Sequence, residues 1–153
     1  RPSTRRRIGR PEESGVAHLA HVELLTDKPE ECLDFYVRYL GLTENGRDGD
    51  SVFLRAWDDY ENTTIKLTAA PKPGVGRTNF RAGSPEALQR RVAAIEATGF
   101  GKGWQDGDPG YGPVYVFTDP DGHEIELYVD VLPRDQWLAD PSLIFAPIRP
   151  LRL

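Results

Sequence analysis

His21, Lys66, Arg77 and Glu126 occupy related places in two similar stretches of the chain, His21 matching Arg77 and Lys66 matching Glu126. If the two stretches pack side by side, the four side chains converge. Imidazole and carboxylate are both metal ligands, and two His with one carboxylate and open positions is the set expected for non-haem Fe(II). Here one imidazole and one suitable carboxylate stand with a lysine and an arginine where the other ligands would be. Two fixed positive charges a few ångströms away repel a divalent cation, and an arginine does not surrender its proton to become a ligand. The chemistry these residues suit is an ionic network in which Lys66 and Arg77 pair with Glu126. No metal and no catalytic residue is expected on this reading.

Strand alternation is what must position them, since successive side chains point to opposite faces. Val22, Leu24, Ile65, Leu67, Thr78, Phe80, Ile125, Leu127 and Val129 share one parity, mostly apolar, and belong against helices. The other parity carries His21, Glu23, Lys66, Thr68, Arg77, Asn79, Arg81, Glu124, Glu126 and Tyr128. That face is either solvated or curled into a polar cup, with His21, Glu23, Lys66, Arg77, Asn79, Glu126 and Tyr128 as its expected lining.

The strands recur in an order that repeats. His21-Val22-Glu23-Leu24 precedes Pro29 and Arg77-Thr78-Asn79-Phe80 precedes Pro85, each by eight residues, and each proline is followed by glutamate, a favourable helix start. Leu33, Tyr36, Val37 and Leu40 in the first stretch, and Leu88, Val92 and Ile95 in the second, have helical spacing. Gly41-Leu42 and Gly99-Phe100 end the two helices. Two strand-like runs follow in each copy, Val52–Trp57 with Thr63–Thr68, and Val114–Thr118 with His123–Val129. Asp119-Pro120-Asp121-Gly122 supplies the turn of the last hairpin. The plan is βαβββ written twice, with one strand of each copy weakly signalled.

At 153 residues, 39% hydrophobic and 28% charged, the chain suits one α+β domain and excludes collagen-like, disulfide-rich and wholly disordered classes. The lone Cys32 cannot form an internal disulfide, and no cleavable or long uncharged apolar run is present, so a cytoplasmic location without a membrane anchor is expected. The net charge of −5 conceals five arginines in the first ten residues above an acidic body, which argues against a general nucleic-acid binder. That arginine cluster lacks interleaved aromatics and reads as a solvated tail.

Other candidates have plain explanations. Cys32 lies in a helix with no base nearby in sequence and reads as a structural thiol. His18, three residues from His21, is expected on the opposite face, and His123 follows the Gly122 turn. Gly99-Phe100-Gly101-Lys102-Gly103 lacks the Ser/Thr of a phosphate loop and reads as a helix end plus turn. Trp57, Trp104 and Trp137 are expected in packing or interfaces.

The doubled plan, His21-Val22-Glu23-Leu24 and the run Asp119-Pro120-Asp121-Gly122-His123-Glu124-Ile125-Glu126-Leu127-Tyr128 resemble the vicinal oxygen chelate superfamily of glyoxalase I, bleomycin- and fosfomycin-resistance proteins and type I extradiol dioxygenases. Phe35-Tyr36 through Leu40-Gly41-Leu42 and Val52-Phe53-Leu54-Arg55-Ala56-Trp57 narrow the resemblance to the N-terminal domain of catechol 2,3-dioxygenase-type enzymes, over about residues 16–153. The resemblance implies paired βαβββ modules forming a curved, cup-like mixed sheet with helices outside. It also implies a parent enzyme whose C-terminal domain holds Fe(II), occasionally Mn(II), through two His and one Glu and cleaves catechols with O2. His21 and Glu126 then match vestigial ligand positions, with Lys66 and Arg77 replacing the others, and this chain needs no cofactor of its own.

The expected organisation is an Arg-rich flexible arm over 1–15, one domain over 16–131 with modules 16–70 and 76–131, and an extended connector over 132–153 leading to a missing catalytic domain. Expected partners are that domain, further copies of the chain, and the catechol and O2 bound by the parent. The alternative is a free-standing dimer that binds a small molecule or metal in its cup, as resistance proteins do.

Overall fold

A computed structural model describes residues 15–129. All of the arginine-rich arm except Gly15, and the connector over 132–153, lie outside the described residues. The first copy comprises β1 (Val16–Thr26), α1 (Pro29–Arg38), β2 (Thr43–Asp48), β3 (Ser51–Arg55) and β4 (Ile65–Ala69). The second comprises β5 (Gly74–Ala82), α2 (Pro85–Glu96), β6 (Gly101–Gln105), β7 (Val114–Thr118) and β8 (Glu124–Tyr128). Together they build one open, curled eight-stranded sheet in the order β2-β3-β4-β1-β5-β8-β7-β6.

The register makes the two copies equivalent about a pseudo-twofold axis. β1 runs parallel to β4 with Glu23 opposite Lys66, and β5 runs parallel to β8 with Asn79 opposite Glu126. β1 and β5 join the copies in antiparallel fashion, with Val22 opposite Thr78. His21 is therefore equivalent to Arg77, Glu23 to Asn79 and Lys66 to Glu126. The matching read from the sequence holds in the hydrogen-bonded ladder.

Both helices lie against the apolar parity. Pro29 and Pro85 open them, and the Ser84 hydroxyl caps α2 by accepting from the Ala87 amide at 3.1 Å. α1 is closed by Gly41 at φ +74°, which lets the Leu42 amide reach back to the Tyr36 carbonyl at 3.1 Å. Leu33 of α1 packs on Leu42, Val52, Leu54 and Leu67, while Leu88 and Val92 of α2 pack on Ala82, Tyr115 and Leu127. Truncating either leucine to alanine should cost about 2–5 kcal/mol. Among the described residues no helix is long and apolar enough to cross a membrane.

The two weakly signalled strands are the edges of the sheet, β2 and β6. An edge strand has one neighbour and little buried surface, so Thr43–Asp48 and Gly101–Gln105 carry no apolar alternation. This corrects the reading of residues 99–103 as a helix end plus turn. Gly99 ends the helix at φ +82°, but Gly101 already pairs with Phe117, and Gly103 at φ +106° sits where the register shifts.

Candidate functional site

The face opposite the helices is the inside of the curl. Strands β1, β4, β5 and β8 supply its floor, and two loops reach over it: residues 56–64 between β3 and β4, and 106–113 between β6 and β7. Each loop delivers a carboxylate to the other copy's strands, Glu61 to Arg81 and Asp108 to Lys66.

At one end of the floor, Arg77 and Glu126 face each other across β5 and β8. Arg77 Nη1 donates to Glu126 Oε1 at 2.7 Å, and Asn79 Nδ2 donates to Glu126 Oε2 at 2.5 Å. Both carboxylate oxygens of Glu126 are thus engaged. Arg77 Nε also donates to Glu124 Oε2 at 3.0 Å, and Lys102 pairs with the other oxygen of Glu124. Burial opposes the Arg77 charge, but the bonds to Glu126 and Glu124 outweigh it and raise its pKa further. Hydrogen bonds from Lys102 and Arg77 hold the Glu124 carboxyl below its usual range.

In the equivalent half, Lys66 Nζ donates to Asp108 Oδ1 at 2.6 Å and stands 3.8 Å from Glu23 Oε1. Glu23 is held by the Thr68 hydroxyl at 2.7 Å and the Arg77 amide at 3.1 Å. Gly76 makes room for it, since a Cβ there would lie 2.3 Å from Glu23 Oε2. His21 is 2% exposed, and its Nε2 lies 3.7 Å from Asp108 Oδ2, beyond hydrogen-bond range, so neither ring nitrogen has a hydrogen-bond partner. Burial pushes the Asp108 carboxyl up, yet the groups facing it bring it below the usual range. At these distances Lys66, rather than His21, carries that effect.

The far end of the cup is sealed. Glu61 is fully buried, accepting from Arg81 Nε at 2.8 Å and from the Tyr128 hydroxyl at 2.7 Å. Tyr111 packs edge-on against Tyr128, with ring centroids 5.2 Å apart, and lies 5.4 Å from the His21 ring. Ala20, Val114 and Val116 complete an apolar cluster with these two tyrosines. Burial, then for Tyr128 the bond to Glu61, drives both phenol pKa values well above the usual range.

The seven expected lining residues all belong to this face, but they do not form one cluster. Arg77, Asn79 and Glu126 meet in one half, and Lys66, Glu23 and His21 gather in the other around Asp108. Tyr128 joins Glu61. The expectation that Lys66 pairs with Glu126 is corrected, because Asp108 reaches Lys66 first. His18 is corrected as well. It stands opposite Arg81, a cup residue, because the register shift between Leu19 and His21 breaks the alternation that would send it to the other face. His123 is an exposed turn residue whose Nδ1 lies 2.8 Å from Asp119 Oδ2, and Cys32 Sγ lies 3.2 Å from the Thr26 hydroxyl.

Asp108, Glu61 and Tyr111 went unread because all three sit in loops, where no periodicity assigns a face. The only signal available was glycine at 107, 110 and 112 around an acidic and an aromatic residue.

A divalent metal does not fit this donor set. Glu126 is saturated by a guanidinium and an amide, and the His21 imidazole faces a carboxylate already bound by an ammonium. Among the described residues no three His, Cys, Asp or Glu side chains are grouped to hold an ion.

The family model described as Glyoxalase/Bleomycin resistance protein/Dioxygenase superfamily matches residues 18–127. The chain is 49% identical over 116 residues to a metapyrocatechase of Geobacillus stearothermophilus, covering 76% of this chain and 36% of that protein. It is 32% identical over 118 residues to a manganese-dependent 2,3-dihydroxybiphenyl 1,2-dioxygenase of Geobacillus genomosp. 3, covering 76% and 38%. Homoprotocatechuate 2,3-dioxygenase of Brevibacterium fuscum shares the fold, with a TM-score of 0.70 at 24% identity over 76% of this chain and 33% of that one. The chain spans little more than a third of the length of the curated relatives it matches, 36% and 38% in these two cases.

Proposed function

The chain belongs to the Glyoxalase/Bleomycin resistance protein/Dioxygenase superfamily, and we propose that it is the N-terminal, non-catalytic domain of an extradiol dioxygenase. The parent enzyme binds Fe(II), or Mn(II), in a separate C-terminal domain and cleaves catechol-type aromatics with O2 in the cytoplasm, as one step of aromatic hydrocarbon breakdown. This chain contributes a second sheet module and contacts to that domain and to further copies of itself. It binds neither nucleic acid nor membrane.

The observation that carries the reading is the Arg77–Glu126 pair at 2.7 Å. His21 and Glu126 stand at ligand positions of the family pattern, but Arg77 takes the place of the second histidine and binds the carboxylate that a metal would need. The cup is then a fixed ionic core that maintains the curl of the sheet, and its residues perform no step of the reaction. The 49% identity to a metapyrocatechase over three-quarters of the chain supports the choice of parent.

Anaerobic titration of residues 1–153 with Fe(II) and with Mn(II), followed by calorimetry, tests it. No stoichiometric binding is expected. A one-to-one complex abolished by His21→Ala would favour the free-standing metal-binding reading instead.

A further inference from the structure

Asp108 enters the cup on a loop with a narrow neck. A Cβ on Gly107 would lie 2.3 Å from the Gly112 carbonyl oxygen, so the two ends of the tip almost touch. The Tyr111 amide donates to the Asp108 carbonyl at 2.9 Å, and the Tyr111 ring lodges between His21 and Tyr128. The tip therefore hangs on two side chains, an aromatic wedge and a carboxylate.

What the carboxylate meets has more donor capacity than it uses. Lys66 Nζ bonds one oxygen at 2.6 Å, but His21 Nε2 stops 3.7 Å from the other. His21 is buried, with both ring nitrogens unpaired. Leaving a buried imidazole without a partner is unfavourable, and natural interiors rarely do so. Glu23, 3.8 Å from Lys66 on another side, offsets part of the ammonium charge, and Asn79 is committed to Glu126.

We infer that Lys66 and His21 form a binding site for a small carboxylate, and that the chain fills this site with its own Asp108 as a tethered ligand. A free carboxylate bound there would take one oxygen to Lys66 and bring the second within reach of the imidazole, a placement the short tether denies to Asp108. The site belongs to this chain alone and does not depend on the parent being a dioxygenase.

The test uses the whole chain, residues 1–153, with formate as probe and chloride at equal ionic strength as control. Asp108→Ala should melt below the native protein, and formate should restore at least half of the lost Tm in a saturable way. The native protein should not respond, and Lys66→Met added to Asp108→Ala should abolish the rescue. In Asp108→Ala, and in Asp108→Gly as a second variant that vacates the site, formate should shift the His21 ring resonances saturably. Rescue by chloride to the same extent, rescue that survives Lys66→Met, or His21 resonances unmoved in a folded Asp108→Ala or Asp108→Gly would each overturn the inference.

Discussion

Arg77 Nη1 and Glu126 Oε1 meet at 2.7 Å across two parallel neighbouring strands, and Asn79 holds the second carboxylate oxygen. Glu126 is nearly buried, whereas the Arg77 side chain remains 30% exposed. Removing the cation would leave a carboxylate poorly solvated and unpaired. Arg77→Ala should therefore destabilise the domain by about 2–3 kcal/mol, short of the value for a fully buried pair because water already reaches the guanidinium. Arg77→Met with Glu126→Leu should recover most of that loss. Urea denaturation of the two variants and the native chain measures it, and equal stability of Arg77→Ala and the native chain would show the pair to be ornamental.

Stability on the acid side should follow the paired carboxylates. Asp108 and Glu124 have pKa values lowered in the fold, so the unfolded chain binds more protons than the native one as pH falls. Their contribution is complete above the ordinary carboxylate range and is lost as pH drops through the folded values. Lys66→Met should weaken the Asp108 part and flatten the fall of Tm with decreasing pH. A Tm profile parallel to that of the native chain would contradict this.

The alkaline limb has the opposite origin. Tyr111 and Tyr128 have raised pKa values, first through burial, so above about pH 10 the unfolded chain has released protons that the native one retains. Stability should decline from there upward. In an ultraviolet titration at least these two of the six tyrosines should ionise only with cooperative unfolding. Their smooth ionisation in a folded protein would show the cup to be open to solvent.

His123 offers a local check on the turn between β7 and β8. Its pKa is raised through the hydrogen bond to Asp119, which also accepts from the His123 amide at 2.9 Å. The ring pair is present while His123 is protonated and is lost as pH rises through the raised value. Proton NMR should find a midpoint above the usual 6.5 that Asp119→Asn lowers. No change in Asp119→Asn would place the cause elsewhere.

Gly107→Ala should open the loop neck, because its Cβ would approach the Gly112 carbonyl, a backbone atom that cannot swing aside. A loss of about 1–3 kcal/mol is expected, of the size that overpacking brings. Hydrogen exchange should rise over residues 106–113 while β1 and β5 stay protected. Uniform protection would show that the tip is not held by its neck.

Much of this architecture was legible in the residues themselves. Buried strands announce their faces by alternation, so the matching of His21 with Arg77 and of Lys66 with Glu126 survived in the ladder. Edge strands and loops carry no such period. β6, with Gly101 and Gly103, passed for a turn, and the residues that complete the cup, Asp108, Glu61 and Tyr111, come from connections whose path is set by tertiary contacts. Alternation alone leaves the partner of Lys66 open for the same reason: Glu126 and Asp108 both lie within plausible reach, and only the folded loop chooses between them. His18 shows that parity itself fails where a bulge intervenes.

Mass spectrometry of the polypeptide made from the natural gene, with and without Glu126→Gln, tests the central claim most directly, a denatured spectrum giving the mass of the single chain and a native one its bound metal. A denatured chain of about twice 17.1 kDa, with one Fe or Mn per chain in the native spectrum that Glu126→Gln leaves in place, is the predicted result. A polypeptide near 17.1 kDa, or a metal lost with Glu126→Gln from a folded protein, would contradict it.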